Sequence, residues 1–258
     1  MSKLLRNQYP KLYKWYQEII GEVYYENLGI GYLFRLLSRK RLQQLENAYH
    51  DPIQVVFNFK GIGLYKSIKP FQITSEVEEL FTAVKDLNPQ VVCEIGTDLG
   101  GTFYLWSKAS PLGGLFISID LSRLYRKSLN RFLYSFFART QKVSFLRENS
   151  HSLECLLKVQ KTLGDKKIDF LFIDGDHSYE GVKQDFLLYA KYVRKGGIIA
   201  FHDIMKDDLP GNVCGVDRFW ARMKTVYQHR EIVADRKQIG SGIGIIYHDP
   251  EKTYERSI

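Results

Sequence analysis

FLFIDGDHSYEGVKQDF, residues Phe170–Phe186, is the stretch on which the reading of this chain turns. Its apolar run ends abruptly in Asp174, Asp176 and His177. A strand buried on both faces reads as a continuous hydrophobic run, and open α/β sheets keep their ligands beyond the carboxyl ends of such strands. A second run, GGIIAFHD, ends the same way in His202 and Asp203. Two strand ends that carry Asp and His have the composition of a metal or acid/base site.

Outward from these runs, short β-branched segments alternate with helical ones. In order they are VVCEIG, TFYLWSKA, LFISID, a basic aromatic helix from Arg123 to about Thr140, VSFLREN, a helix around Leu153–Leu163, DFLFIDGD, a helix around Val182–Val193, and GIIAFHD. Such alternation predicts an α/β fold with a doubly wound, mostly parallel sheet. The end differs: EIVADRKQIGSGIGIIYHD places two strand-like runs around a glycine-rich turn, as a hairpin with an antiparallel strand does. Ahead of the first strand, TSEVEELFTAVKDL is expected to be a helix capped by Thr74 or Ser75 and closed by Pro89. Residues 1–60 form a separate helical segment in this reading, with a break at Gly29 and Gly31, and 61–258 form the sheet domain. The helical segment packs on the domain or a partner subunit, or serves as a lid. Arg35, Arg39, Lys40 and Arg41 beside Leu33, Phe34, Leu36 and Leu37 also suit an anionic membrane surface.

At 258 residues the chain can bury a substantial core, and 45% hydrophobic with 26% charged residues is ordinary for a water-soluble protein. A formal charge of +8 is compatible with anionic substrates, nucleic acid or a membrane surface and selects none of them. The three cysteines are widely spaced with no CxxC, which removes a zinc knuckle or a redox pair and suits a reducing cytosol. The N-terminus mixes charges with aromatics, so no signal peptide is expected, and no apolar run is long enough to span a bilayer.

The first strand turns at GTDLGGT, where Gly96, Gly100 and Gly101 let backbone approach a ligand. Asp98 stands where a dinucleotide fingerprint needs its second glycine, and no lysine follows Gly101 as a P-loop requires. A ligand with little anionic charge fits such a turn better than a polyphosphate. Asp120 ends the second strand, where a carboxylate can accept from ribose hydroxyls. Glu148, Asn149 and Ser150 end the third, where amide and carboxylate groups can meet an adenine edge. In that order they favour an adenosine-type site.

EIGTDLGG, SIDLS, FIDGDHSYEGVKQD and GGIIAFHD together resemble motifs I to V of class I S-adenosylmethionine-dependent methyltransferases. More narrowly, they resemble the metal-dependent sugar O-methyltransferases of the macrocin type and the cephalosporin-hydroxylase-like proteins. The likeness runs from about Gly61 to Asp249 and implies a Rossmann-like, seven-stranded sheet with an antiparallel last strand. It implies that Glu94, Gly96, Thr97 and Gly100 line the methionine and ribose side of S-adenosylmethionine, that Asp120 holds the ribose, and that Asn149 and Ser150 meet the adenine. Asp174 would touch the cofactor and, with His202 and Asp203, hold a divalent metal, Mg2+ in the relatives. His177 would be the general base. The better-known relatives carry Glu-Asp where this chain has His202-Asp203, and imidazole is a softer ligand than carboxylate.

The implied acceptor is a hydroxyl of a glycan or a glycosylated metabolite, with Tyr65, Phe71 and Trp220 as aromatics that either stack on a sugar or fill the core. Tyr179 faces the substrate or packs over its loop, and His151 and His229 are read as surface or packing residues. His177 and Asp203 can instead be helix caps. The implied setting is cytoplasmic, with surface attachment to a membrane open and homo-oligomerisation through the N-terminal helices possible. IDGDH replaces the Asn/Asp-Pro-Pro-Tyr and Pro-Cys motifs of DNA methyltransferases, so DNA is not the expected partner. RNA ribose methylation, or a non-catalytic assembly subunit with a vestigial metal site, stays open at this level.

Overall fold

A computed structural model describes residues 29–62, 67–121, 141–207, 214–252 and 254. The expected helix from Arg123 to Thr140 and Tyr65 lie outside the described residues. The chain divides into two compact units, with the boundary of the first at Lys69. In the first unit, helix α1 (Gly29–Ala48) is followed by α2 (Pro52–Asn58). Helix α1 runs through Gly31, where a break was expected, because strong helix formers such as Leu and Arg follow it closely. Asp51 caps α2 by accepting from the Ile53 N–H at 2.9 Å, and Ser38 Oγ accepts from the Ile62 N–H, also at 2.9 Å.

The second unit is the sheet domain. Its elements are α3 (Thr74–Leu87), β1 (Val91–Ile95), α4 (Gly101–Ala109), β2 (Leu115–Ile119), β3 (Lys142–Leu146), α5 (Leu153–Leu163), β4 (Ile168–Ile173), α6 (Tyr179–Tyr189), β5 (Val193–His202), α7 (Val216–Val226), β6 (His229–Ile232) and β7 (Ile243–Tyr247). The strands join in the order β3-β2-β1-β4-β5-β7-β6. All pairs up to β5 are parallel, and β7 runs antiparallel to both β5 and β6. This is the predicted doubly wound sheet with its terminal hairpin.

The sequence explains which strands are central. VVCEI and LFISI are buried along their whole length, whereas KVSFL, with a lysine at its start, is the part-exposed edge. Alternate residues of β4 serve opposite faces. Phe170 and Phe172 meet Trp106 of α4 edge-on, at centroid distances of 5.0 and 5.6 Å. Leu171 and Ile173 join the other core with Phe186, Phe201 and Phe219. Trp220, one of the aromatics considered for sugar stacking, belongs to that core: it is 2% exposed and donates its indole N–H to Glu231 at 2.8 Å. Phe71 is exposed.

Two local expectations are corrected. Helix α3 is capped at Ile73, with no side-chain cap, instead of by Thr74 or Ser75. Its first-turn acid Glu76 is buried and turned to other work, described below. Helix α6 starts at Tyr179, three residues before Val182, because Ser178 caps it by accepting from the Gly181 N–H at 3.0 Å.

The carboxyl ends of β1 and β4 approach closely. The Asp174 N–H donates to the Ile95 carbonyl at 2.9 Å, and a Cβ on Gly96 would lie 1.9 Å from the Asp174 carbonyl oxygen. Gly96 also has φ +89°, which a side chain disfavours. We expect Gly96→Ala to cost at least about 2 kcal/mol, combining left-handed strain with overpacking, and to lower the thermal midpoint. A wild-type midpoint would show that the two strand ends separate freely.

Candidate active site

The two strand ends meet as one cluster. Asp174 follows β4, His202 ends β5, Asp203 comes next, and His177 lies on the turn that leads into α6. Asp174 Oδ1 lies 3.1 Å from His202 Nδ1 and 3.4 Å from His177 Nε2. Asp203 Oδ2 lies 2.8 Å from His177 Nδ1, and its Oδ1 lies 3.3 Å from His202 Nδ1. Neither His177 nor Asp203 is a helix cap, since Ser178 caps α6 and Gly215 precedes α7. Ligand atoms of Asp174, His177 and Asp203 all fall within 4.8 Å of one another, close enough to share one cation.

Burial separates the two histidines. His202 is 7% exposed, while the His177 side chain is 46% exposed. His202 Nε2 is buried without a hydrogen bond among the described residues. Burial pushes the Asp174 carboxyl up, yet His202 and His177 beside it hold it down at about 2. Hydrogen bonds to Asp174 and Asp203 raise His177 to about 10. Burial works against the charge on His202, and Asp174 outweighs it, so His202 is raised as well. Two carboxylates facing two imidazoles thus hold positive charge where a cation would sit. Asp203 has φ +63°, a left-handed conformation that Asp tolerates better than most residues.

One strand away, the glycine turn leaves β1. Gly100 has φ +87° and precedes α4, with its N–H donating to the Thr97 carbonyl at 2.8 Å. The Thr97 and Ser118 hydroxyls share a hydrogen bond of 2.6 Å, and Asp120 Oδ2 accepts from the Asp98 N–H at 2.7 Å. Asp120 therefore stands against the glycine turn, as a ribose-binding carboxylate would. Asn149 Oδ1 accepts from the His151 N–H at 3.0 Å, and the Ser150 carbonyl accepts from the Tyr189 hydroxyl at 2.7 Å. Those contacts fix the loop after β3. His151 pairs with the fully buried Asp185 at 3.1 Å, a partner that sequence reading does not reveal.

Glu94 is fully buried, and its Oε1 accepts from the Trp106 indole at 3.0 Å. Burial pushes its carboxyl up to about 8 from an ordinary 4.5, against the hydrogen bonds from Thr102, Trp106 and Thr97. Tyr179 is a packed aromatic: its ring meets Phe219 edge-on at 6.1 Å and its hydroxyl shares a bond of 2.8 Å with Tyr254. Strand-end reasoning missed Gln72, whose amide donates to Asp174 Oδ2 at 2.6 Å. It lies in an irregular stretch whose local pattern gives no sign of the contact.

Comparisons with known proteins agree with this geometry. Residues 93–204 match a family model described as a methyltransferase domain. An Acanthamoeba polyphaga mimivirus protein named "Uncharacterized protein R132" is 38% identical over 112 residues, which is 43% of this chain and 49% of that one. The chain thus spans about half the length of that curated relative. An O-methyltransferase from Bacillus cereus, solved in complex with SAH, matches with TM-score 0.53 and 16% identity, over 81% of this chain and 91% of that one. The O-methyltransferase TomG from Streptomyces achromogenes, solved with SAM, matches with TM-score 0.52 and 15% identity, over 82% and 90%.

The folded protein holds the Glu94 proton more tightly than the unfolded chain does. The stability it contributes is complete below about pH 4.5 and is lost as the pH rises towards about 8. We expect Glu94→Gln to gain on the wild type steadily between those pH values in urea unfolding. A constant difference would show that Glu94 ionises normally. Residues 93–204 thus match a methyltransferase domain, and the sheet has the fold of the O-methyltransferases solved with SAH and with SAM.

Proposed function

We propose that this protein is an S-adenosylmethionine-dependent O-methyltransferase, assisted by a divalent cation such as Mg2+. Its acceptor is a hydroxyl of a sugar, a glycan or a glycosylated small molecule, as in the macrocin-type enzymes it resembles. The observation that carries this reading is the convergence of Asp174 and Asp203, with His202 Nδ1 3.1 and 3.3 Å from them and His177 in the same cluster, beside the glycine turn of β1. The chain's own residues fit both ligands. The turn offers no lysine to a polyphosphate, and the cluster offers two carboxylates with imidazoles, a donor set for a divalent ion.

Glu94, Gly96, Thr97, Gly100, Asp120, Asn149 and Ser150 would hold the cofactor, with Asp174 at its reacting end. Bound there, S-adenosylmethionine would supply a methyl group on an activated sulfonium. A divalent cation held by Asp174, Asp203 and His202 would lower the pKa of an acceptor hydroxyl.

The exposures of the two histidines support separate roles. His202 is enclosed among the carboxylates, whereas His177 reaches solvent, from which an acceptor must arrive. As a base His177 must first be neutral. Its Nε2, the nitrogen with the longer carboxylate contact, is then the one to take the hydroxyl proton, while Nδ1–H donates to Asp203. Asp203 fixes the ring and its tautomer. Residues 1–60 are proposed to shape the acceptor site or to hold a second copy of the chain. The setting is proposed to be cytoplasmic, and no helix among the described residues is long and apolar enough to cross a membrane.

Calorimetric titration with S-adenosylmethionine, with and without Mg2+, tests the core of this reading. Saturable binding is expected, and none at millimolar cofactor would overturn it. With an acceptor in hand, His177→Ala is expected to lower kcat about 100-fold or more with cofactor affinity unchanged. Asp203→Asn is expected to lower cation affinity. Full turnover by both variants would remove the assigned roles.

A further inference from the structure

Two side chains at the start of α3 connect to the cluster, Gln72 directly and Glu76 through a loop, and the strand-end pattern assigns neither. Gln72 is 5% exposed. Its Nε2 donates to Asp174 Oδ2 at 2.6 Å, and the opposite amide orientation would set two acceptors face to face. This bond occupies Oδ2 and leaves Oδ1 to His202 and His177. Gln72 Oε1 is buried with no hydrogen-bond partner among the described residues.

Glu76 lies four residues further on and is 1% exposed. Its Oε1 accepts from the Ala234 N–H at 3.0 Å and from Gln238 Nε2 at 2.8 Å. Its Oε2 accepts from the Gly242 N–H at 3.0 Å. All three donors belong to the loop between β6 and β7. Charge-assisted bonds of this kind are strong in a buried setting, and a buried carboxylate without them would be costly. The neighbouring residue of that loop, Ser241, donates its N–H to Asp203 Oδ1 at 3.2 Å. Ser241 has φ +55°, a conformation that the loop must hold in place.

We propose that the start of α3 is the positioning element of the cation cluster: Gln72 sets Asp174 directly, and Glu76 sets Asp203 through the β6–β7 loop. This rests on the divalent-cation reading given above. Asp174 and Asp203 come from different strands, so their mutual geometry is not fixed by either strand alone. Ordering two free carboxylates around an ion costs rotamer entropy, and outer partners that fix them beforehand strengthen binding roughly 10- to 100-fold.

The test uses the full chain and Mn2+ as probe, its uptake followed by electron paramagnetic resonance. Gln72→Met keeps the side-chain length and removes the donor. It is expected to weaken Mn2+ affinity about 10-fold or more in a protein that still folds, with S-adenosylmethionine affinity unchanged and turnover restored by excess Mn2+. Glu76→Gln is expected to weaken Mn2+ affinity and, in the cation-free protein, to speed amide hydrogen exchange at Ser241 and Gly242 at least about 10-fold. If Glu76→Gln does not fold, Gln238→Ala removes one of the three donors and is read the same way. Wild-type Mn2+ affinity in the Gln72 and Glu76 variants, with Asp174→Asn losing it, overturns the proposal. If the wild-type protein takes up no Mn2+, the cation reading falls, and the exchange experiment alone decides whether Glu76 sets Asp203.

Discussion

The carboxylate of Asp174 is the contact on which the site depends. One oxygen is taken by the Gln72 amide, and the other faces His202 and His177. A carboxylate with three donors around it stays ionised, which is why it is held at about 2 despite its burial. Its backbone is fixed just as firmly. The Asp174 N–H bonds to the end of β1, and the missing side chain of Gly96 gives its carbonyl room. The glycine turn of β1 and the charged cluster therefore share one junction. A change at Gly96 acts on both, although Gly96 touches neither histidine.

The cluster divides charge by depth. His202 is enclosed and its Nε2 has no partner among the described residues, while His177 is half exposed with both nitrogens facing carboxylates. A cation entering the same space competes with the proton on His177, and a neutral His177 is what base catalysis asks for. Glu94 makes the complementary point on the cofactor side. Its burial favours the protonated form, so the floor of the glycine turn is uncharged over the lower part of the pH range.

The motifs resemble those of a superfamily; they do not indicate an acceptor. Trp220, one of the aromatics considered for sugar stacking, is buried in the core and offers no free face to a sugar, whereas Tyr179 packs against Phe219 and stays part-exposed. Their indole and phenol groups have protein partners, which is the usual fate of large amphipathic side chains in a core.

The sequence by itself determined the parallel sheet, the terminal hairpin and the strand ends that carry Asp174, His202 and Asp203. These follow from continuous apolar runs that stop at charged residues, and from a glycine turn, all of which are local signals. The tertiary structure alone decided what surrounds them. Gln72 lies 102 residues from Asp174 and Glu76 lies 166 from Gly242, and no local period links positions so far apart. Helix capping shows the same limit: TSEVEE offers Thr74 and Ser75 as caps, yet the cap position falls to Ile73, the helix begins at Thr74, and Glu76 turns inward. The reason is that a buried carboxylate with three donors gains more than an exposed cap supplies, and those donors exist only once β6 and β7 have paired.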